Sequence, residues 1–274
     1  MRTVSIFRCL PLCLALTALP ALSEPLNLNC RIEPFVEVDI SSAVEGVLSD
    51  VLVEKNSQVN AGDVIARLES GLEAATVQLR KLQAELTSDI TAQQLALEFA
   101  ERSLDRVTDL QKKNAASAAE LDKVTTEYAL ARQRLEQAKD RQRQAQLEHE
   151  RAEQNLARYT ITSSTAGVVV ERFKEPGEHI DSEPVVRVAQ LDPLRVKAYA
   201  PASLYGKIVP GTRAALTPEL AQRSQSVALE VDRVDRTIDG PSNTFGIELI
   251  FPNPEQSVPS GLRCTLKFSG IEAP

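Results

Sequence analysis

The stretch RVTDLQKKNAASAAELDKV, residues 106–124, lies in the middle of a long polar, helix-forming segment and carries a stop signal followed by a start signal. Asn114 interrupts the apolar pattern, Ser117 is a good N-cap, and Glu120 three residues later completes a capping box. One helix is therefore predicted to end near Lys113 and another to begin near Ala118. The segment turns back on itself. The tip of such a hairpin is exposed and far from its base, so a partner can be engaged there without disturbing the rest of the molecule.

Outward from the tip, the sequence between Gly71 and Tyr159 contains no Pro and no Gly after Gly71. In its second half a seven-residue repeat places Leu121, Tyr128, Leu135 and Leu156 on one column. Val124, Ala131, Ala138, Ala145, Ala152 and Tyr159 fall on the other, which is the pattern of a coiled-coil seam. The first half carries Leu72, Leu79 and Leu86, then Ile90, Leu97 and Leu104, with a four-residue step that locally shifts the seam. The two halves are expected to pair. Each has about 40 residues and spans roughly 60 Å at 1.5 Å per residue.

Beyond both ends of the hairpin lie two related segments. Residues 44–68, VEGVLSDVLVEKNSQVNAGDVIARL, and residues 166–189, AGVVVERFKEPGEHIDSEPVVRVA, align at one constant offset. The offset matches Gly46 with Gly167, Val47 with Val168, Asn56 with Gly177, Val59 with Ile180 and Ile65 with Val186. Each copy reads as a glycine, an apolar strand, a turn residue suited to positive φ, and a second short strand. Two such units on either side of a helical insertion are expected to close into one small sandwich.

After Leu191 come short β-like runs broken by Pro, Gly and Asn: LRVKAYAP, AALTPEL, SVALEVDRVD, FGIELIFPNP and GLRCTLKF. Runs of that length and spacing read as a small barrel. Residues 29–39 are expected to add a strand that carries Cys30 toward Cys264.

The first residues read as a targeting signal. Arg2 and Arg8 precede an apolar run from Cys9 to Leu22, and cleavage is expected before Glu24. Asn27-Leu28-Asn29 lacks the small residue that a lipoprotein signal places ahead of its cysteine, so Cys30 is not expected to be lipidated. Loss of Cys9 and Cys13 with the signal leaves Cys30 and Cys264, an even pair in an oxidising compartment. That points to one disulfide, with two separate buried thiols as the alternative. The composition, 43% apolar with no Trp and a formal charge of −7, supports real cores. Its interleaved charges argue against nucleic acid as a partner.

This arrangement resembles the periplasmic adaptor subunits, or membrane fusion proteins of the HlyD-like type, of resistance-nodulation-division tripartite efflux pumps. The resemblance is carried by the split halves around a hairpin, by VDRVDRTIDGPSNTFGIELIFPNPEQSVPSGL (231–262) and by LDPLRVKAYAPASLYGKIVPG (191–211). It implies an α+β multidomain fold: a long antiparallel coiled-coil hairpin inserted in a split lipoyl-like β-sandwich, followed by a small β-barrel. The implied organisation is a signal peptide over 1–23, an arm and barrel strand over 24–43, and a first lipoyl-like half over 44–70. The hairpin follows over 71–157, the second half over 158–191 and the barrel over 192–274, with the family's membrane-proximal domain expected to be absent. The family's tip pattern falls here on Arg106, Leu110 and Ser117, which implies contact with a TolC-type outer-membrane channel. The other implied partners are an inner-membrane transporter and further copies in a ring, in the periplasm.

Catalysis finds little support in the sequence. His149 falls on the seam column and His179 in a β turn, and neither has ligand-spaced neighbours, so both are expected to be structural and no cofactor is expected. Two other readings are a secreted coiled-coil scaffold and a lipoyl or biotinyl carrier. A scaffold leaves the barrel strings unexplained. A carrier needs a modifiable Lys on the turn that the hairpin replaces.

Overall fold

The computed structural model describes residues 25–220 and 226–272, so the expected leader over 1–23 lies outside the described residues. The chain forms two compact units, one from residues 36–191 and the other from residues up to 35 together with 192 onward. The elements run β1 (Pro25–Ser41), β2 (Gly46–Val51), β3 (Gln58–Val59), β4 (Val64–Leu68), α1 (Gly71–Glu85), α2 (Ser88–Lys112) and α3 (Ala118–Ala157). Then follow β5 (Thr160–Thr162), β6 (Gly167–Arg172), β7 (His179–Ile180), β8 (Pro184–Pro201), β9 (Arg213–Pro218), β10 (Val227–Val234), β11 (Thr244–Phe251) and β12 (Arg263–Glu272).

In the first unit the two related segments exchange strands. Gly46 of β2 pairs with Ile180 of β7, and Gly167 of β6 pairs with Val59 of β3. The loop hydrogen bonds repeat with the same symmetry: Leu48 N donates to Glu178 O and Val169 N to Ser57 O, while Gly177 N donates to Leu48 O and Asn56 N to Val169 O. Asn56 and Gly177 both hold positive φ, at 72° and 90°, as a tight turn between short strands requires. Neither half has an apolar face large enough to stand alone. Together Leu48, Val59, Ile65 and Leu68 from one half and Val169, Ile180, Val186 and Val188 from the other form one buried cluster.

The helices leave this sandwich after β4 and return into β5, and Leu68 N donates to Tyr159 O across the base. Ala, Leu, Gln, Glu, Lys and Arg dominate α3, so its 40 residues propagate without a break. Every seam position predicted on α3 is buried or half-buried, and the positions between are exposed except Gln142, which continues the first column, and Glu148. On the outgoing side the helix breaks where the four-residue step falls, because Leu86 takes an extended conformation (φ −68°, ψ 112°) and α2 starts afresh at Ser88. Ile90, Leu97 and Leu104 are half-buried toward α3, as expected.

The expectation for α1 is corrected. Leu72, Leu79 and Leu86 are exposed, Leu72 to 77%, and the buried residues are Val77 and Ala84, with Glu73 and Arg80 half-buried. This orientation goes with polar pairing at the base. Arg80 meets Glu148 at 2.9 Å and the Tyr159 hydroxyl meets Glu73 at 3.1 Å, which turns the side of α1 carrying Glu73, Val77, Arg80 and Ala84 inward.

In the second unit the strand order β1-β12-β9-β10-β11-β8 is closed by a β1–β8 pairing into a six-stranded barrel. β8 through β12 coincide with the five sequence runs. Phe245, Phe268, Ile247, Leu216 and Ile32 are among the side chains that fill the interior. Cys30 and Cys264 face each other in the β1–β12 register, with Cα atoms 4.9 Å apart, and form the disulfide.

Candidate functional site

The hairpin tip is built by two caps of different kinds. At the end of α2, Asn114 takes a left-handed conformation (φ 56°), Ala115 N donates to Leu110 O and Asn114 N donates to Gln111 O. Those two bonds form a Schellman motif, with Asn where glycine is commoner. After the turn, the Ser117 hydroxyl accepts from Glu120 N at 3.1 Å, so it caps α3 as the sequence predicts. The Schellman bond also fixes the Leu110 backbone, which gives its side chain a defined direction.

Leu110 is not in the seam. It is 41% exposed, while Val107 and Gln111 on either side are half-buried toward α3. Arg106, one turn before it, is exposed and has no ion pair among the described residues, whereas the neighbouring Asp109 is paired with Lys112 at 3.0 Å. Residues four apart share a helix face, so Arg106 and Leu110 stand side by side on the outer side of α2. Leu95 and Phe99 continue that face toward the base and are also exposed. Sequence reading missed this extension. Its signal was the spacing of four, seven and four between residues 95, 99, 106 and 110.

Charge pairs hold the hairpin and the sandwich. Arg141 of α3 meets Asp89 of α2 at 2.6 Å and, with Gln93, holds that carboxyl below its ordinary value. Arg187 binds Asp39 through two hydrogen bonds of 2.5 and 2.9 Å, which lower the Asp39 carboxyl and raise the guanidinium. His149 is on the seam with its Nε2 3.5 Å from Glu153, and its buried Nδ1 has no partner among the described residues. His179 is exposed in β7 opposite Val47. No helix among the described residues is long and apolar enough to cross a membrane.

Residues 36–190 match the family described as CzcB-like, barrel-sandwich hybrid domain. A UPF0194 membrane protein of Yersinia pseudotuberculosis serotype IB is 24% identical over 281 residues, covering 84% of this chain and 86% of that protein. MacA from Actinobacillus actinomycetemcomitans has a crystal structure similar to this one, with a TM-score of 0.80 at 22% identity over 92% of this chain and 80% of that one. The membrane fusion protein Spr0693 from Streptococcus pneumoniae R6 gives a TM-score of 0.63 at 15% identity over 90% of this chain and 99% of that one. At these identities the two structures speak for the fold, a barrel-sandwich domain with a helical hairpin and a β-barrel.

Proposed function

We propose, from the premise that this chain belongs to the CzcB-like barrel-sandwich hybrid family of membrane fusion proteins, that it is a periplasmic adaptor for export of small molecules. The family is one of adaptors and not of enzymes. In this reading the leader over 1–23 is cleaved, Cys30 is not lipidated, and the two sandwich halves are a split lipoyl-like domain. The chain joins an inner-membrane transporter of the resistance-nodulation-division type to a TolC-type outer-membrane channel, and several copies form a ring around the exported compound.

The observation that carries this reading is the tip. An apolar side chain directed away from its own seam, beside an unpaired guanidinium, at the far end of a long hairpin, supports a docking role over a structural one. Arg106 would donate to backbone or carboxylate oxygens on the periplasmic end of the channel. Leu110 would fill an apolar groove between channel helices, in the manner of helix-in-groove recognition. Ser117 caps α3 and presents its hydroxyl at the same end.

Arg106→Asp tests the proposal. Inverting an exposed charge empties no core, so expression and thermal stability should stay close to wild type while export is lost. Copurification from detergent-solubilised envelopes should recover channel and transporter with the wild-type chain and lose the channel with the variant. A variant that exports normally and retains the channel would refute contact through Arg106.

A further inference from the structure

We infer that the exposed side of α1 and α2 is a second docking face whose occupant is the outer side of α3 in another copy of this chain. The inference rests on the ring proposed above and assigns the two helix faces that would build it.

Leu72, Ala75, Leu79, Leu82 and Leu86 recur at alternating steps of three and four residues, the spacing of a coiled-coil seam, and all five are exposed. This stripe lies about 160° round the helix from the buried set at Val77 and Ala84, at 100° per residue. α1 therefore has two apolar sides, and only one meets α3. A set of large exposed leucines in one row marks an interaction surface, since single exposed apolar residues are ordinary but contiguous stripes are not.

The outer side of α3 offers a match. One column of its seam is made largely of alanine, and two large apolar side chains, Leu130 and Leu147, are exposed away from that seam. The ion pairs Arg80–Glu148 and Asp89–Arg141 set the height of each helix against the other. Counted from those pairs, Leu82 stands level with Leu147 and Phe99 level with Leu130, each within about one residue, or roughly 1.5 Å of axial rise. Glu85, exposed beside Leu82 and Leu86, stands level with exposed Arg143, so the charges are complementary at the same height.

These matched faces lie on opposite sides of one hairpin. Copies placed side by side without axial shift would set Leu82 against Leu147 of the next copy and Phe99 against Leu130. That contact is head-to-tail, and such contacts close into rings when the rotation permits. A two-fold pairing of α1 stripes would use one face twice and leave Leu130 and Leu147 unmatched.

Cysteine cross-linking in the envelope of cells producing the full chain tests the assignment. Cys30 and Cys264 are joined, and cleavage of the leader as proposed above removes Cys9 and Cys13, so a short bis-maleimide reports introduced thiols, with the unsubstituted chain as the control. The chain carrying both Leu82→Cys and Leu147→Cys should give a ladder of trimers and larger species. Coproduction of the two single variants should stop at dimers, and each single variant alone should remain monomeric. Phe99→Cys with Leu130→Cys should reproduce the ladder as an independent pair on exposed positions. Dimers from Leu82→Cys alone, or monomers from both double variants, would overturn the assignment. Channel and transporter copurification, scored in the same envelopes, separates the two proposals. Partners recovered without a ladder sink the face assignment alone, and a ladder without partners sinks the adaptor reading alone.

Discussion

Gly46 and Gly167 occupy equivalent positions in the two sandwich halves, yet replacing each with alanine should have unequal effects. A Cβ on Gly167 would lie 2.5 Å from the carbonyl oxygen of Ala189 and 2.9 Å from its carbon. Those are backbone atoms of β8, held by the β6–β8 register in which Val168 pairs with Ala189. Relief requires the strands to part by several tenths of an ångström and loosens Val169 and Val188, both fully buried. Forced overpacking of this kind costs about 1–3 kcal/mol. A Cβ on Gly46 would instead meet Leu68 Cδ2 at 3.0 Å, the far end of a side chain that can shift rotamer. An off-rotamer side chain costs about 0.5–1.5 kcal/mol, so Gly167→Ala should be the more damaging by roughly 1 kcal/mol or more. Neither glycine has a left-handed φ, so close approach is the whole effect. Hydrogen exchange at β6 and β8 amides, alongside urea unfolding, reads the local loss. Equal costs, or a larger cost at Gly46, would refute the reasoning.

Three further outcomes follow from the hairpin and its charges. Leu135→Ala empties a buried seam position and should cost about 2 kcal/mol or more, whereas Leu79→Ala should stay within about 0.5 kcal/mol in dilute monomer, both measured by far-ultraviolet circular dichroism in urea. Ser117→Ala removes the bond to Glu120 N and should cost about 1 kcal/mol, visible as faster hydrogen exchange in the first turn of α3; unchanged exchange would mean that the cap adds nothing. Arg187 holds the Asp39 carboxyl below its ordinary 3.8, so its contribution is present above that value and is lost as pH falls through the lower folded value. Asp39→Asn should flatten this part of the melting-temperature profile in the acid limb, and an unchanged profile would show that the pair carries no pH dependence.

Much of this fold was legible because local signals and tertiary demand agree. Asn56 and Gly177 were identified as turn residues with positive φ, and both hold it. Ser117 was placed as a cap from a three-residue spacing, and its hydroxyl accepts from Glu120 N. The cysteine pairing followed from compartment and parity, while its geometry depends on the β1–β12 register, which joins segments more than two hundred residues apart. Sequence could not supply that register. The heptad step at Leu86 was visible as a seam shift, but two connections are open to the chain there, a continuous helix with a slipped seam or a break with a fresh start. The Leu86 conformation selects the break.

The side of α1 that faces α3 was misread for an instructive reason. Hydrophobic periodicity identifies a stripe but not its partner, and α1 carries two stripes. The richer, Leu72-Leu79-Leu86, was assigned to the intramolecular seam on its seven-residue spacing, and burying leucine is ordinarily worth more than burying valine or alanine. At the level of α1, however, the α3 seam consists of Ala145, His149, Ala152, Leu156 and Tyr159, and polar bonds from Glu148 and Tyr159 reach Arg80 and Glu73. The small residues Val77 and Ala84 let the helices approach there while those bonds form. A chain selected only for its own stability would turn the leucines inward and leave the polar pairs to water, since exposed pairs contribute little. The opposite choice makes sense when the leucines are buried elsewhere. The point at which burial within one chain fails to predict the observed side of α1 is thus the point at which the packing of copies proposed above would act, because a local rule broken without compensation inside the molecule calls for compensation outside it.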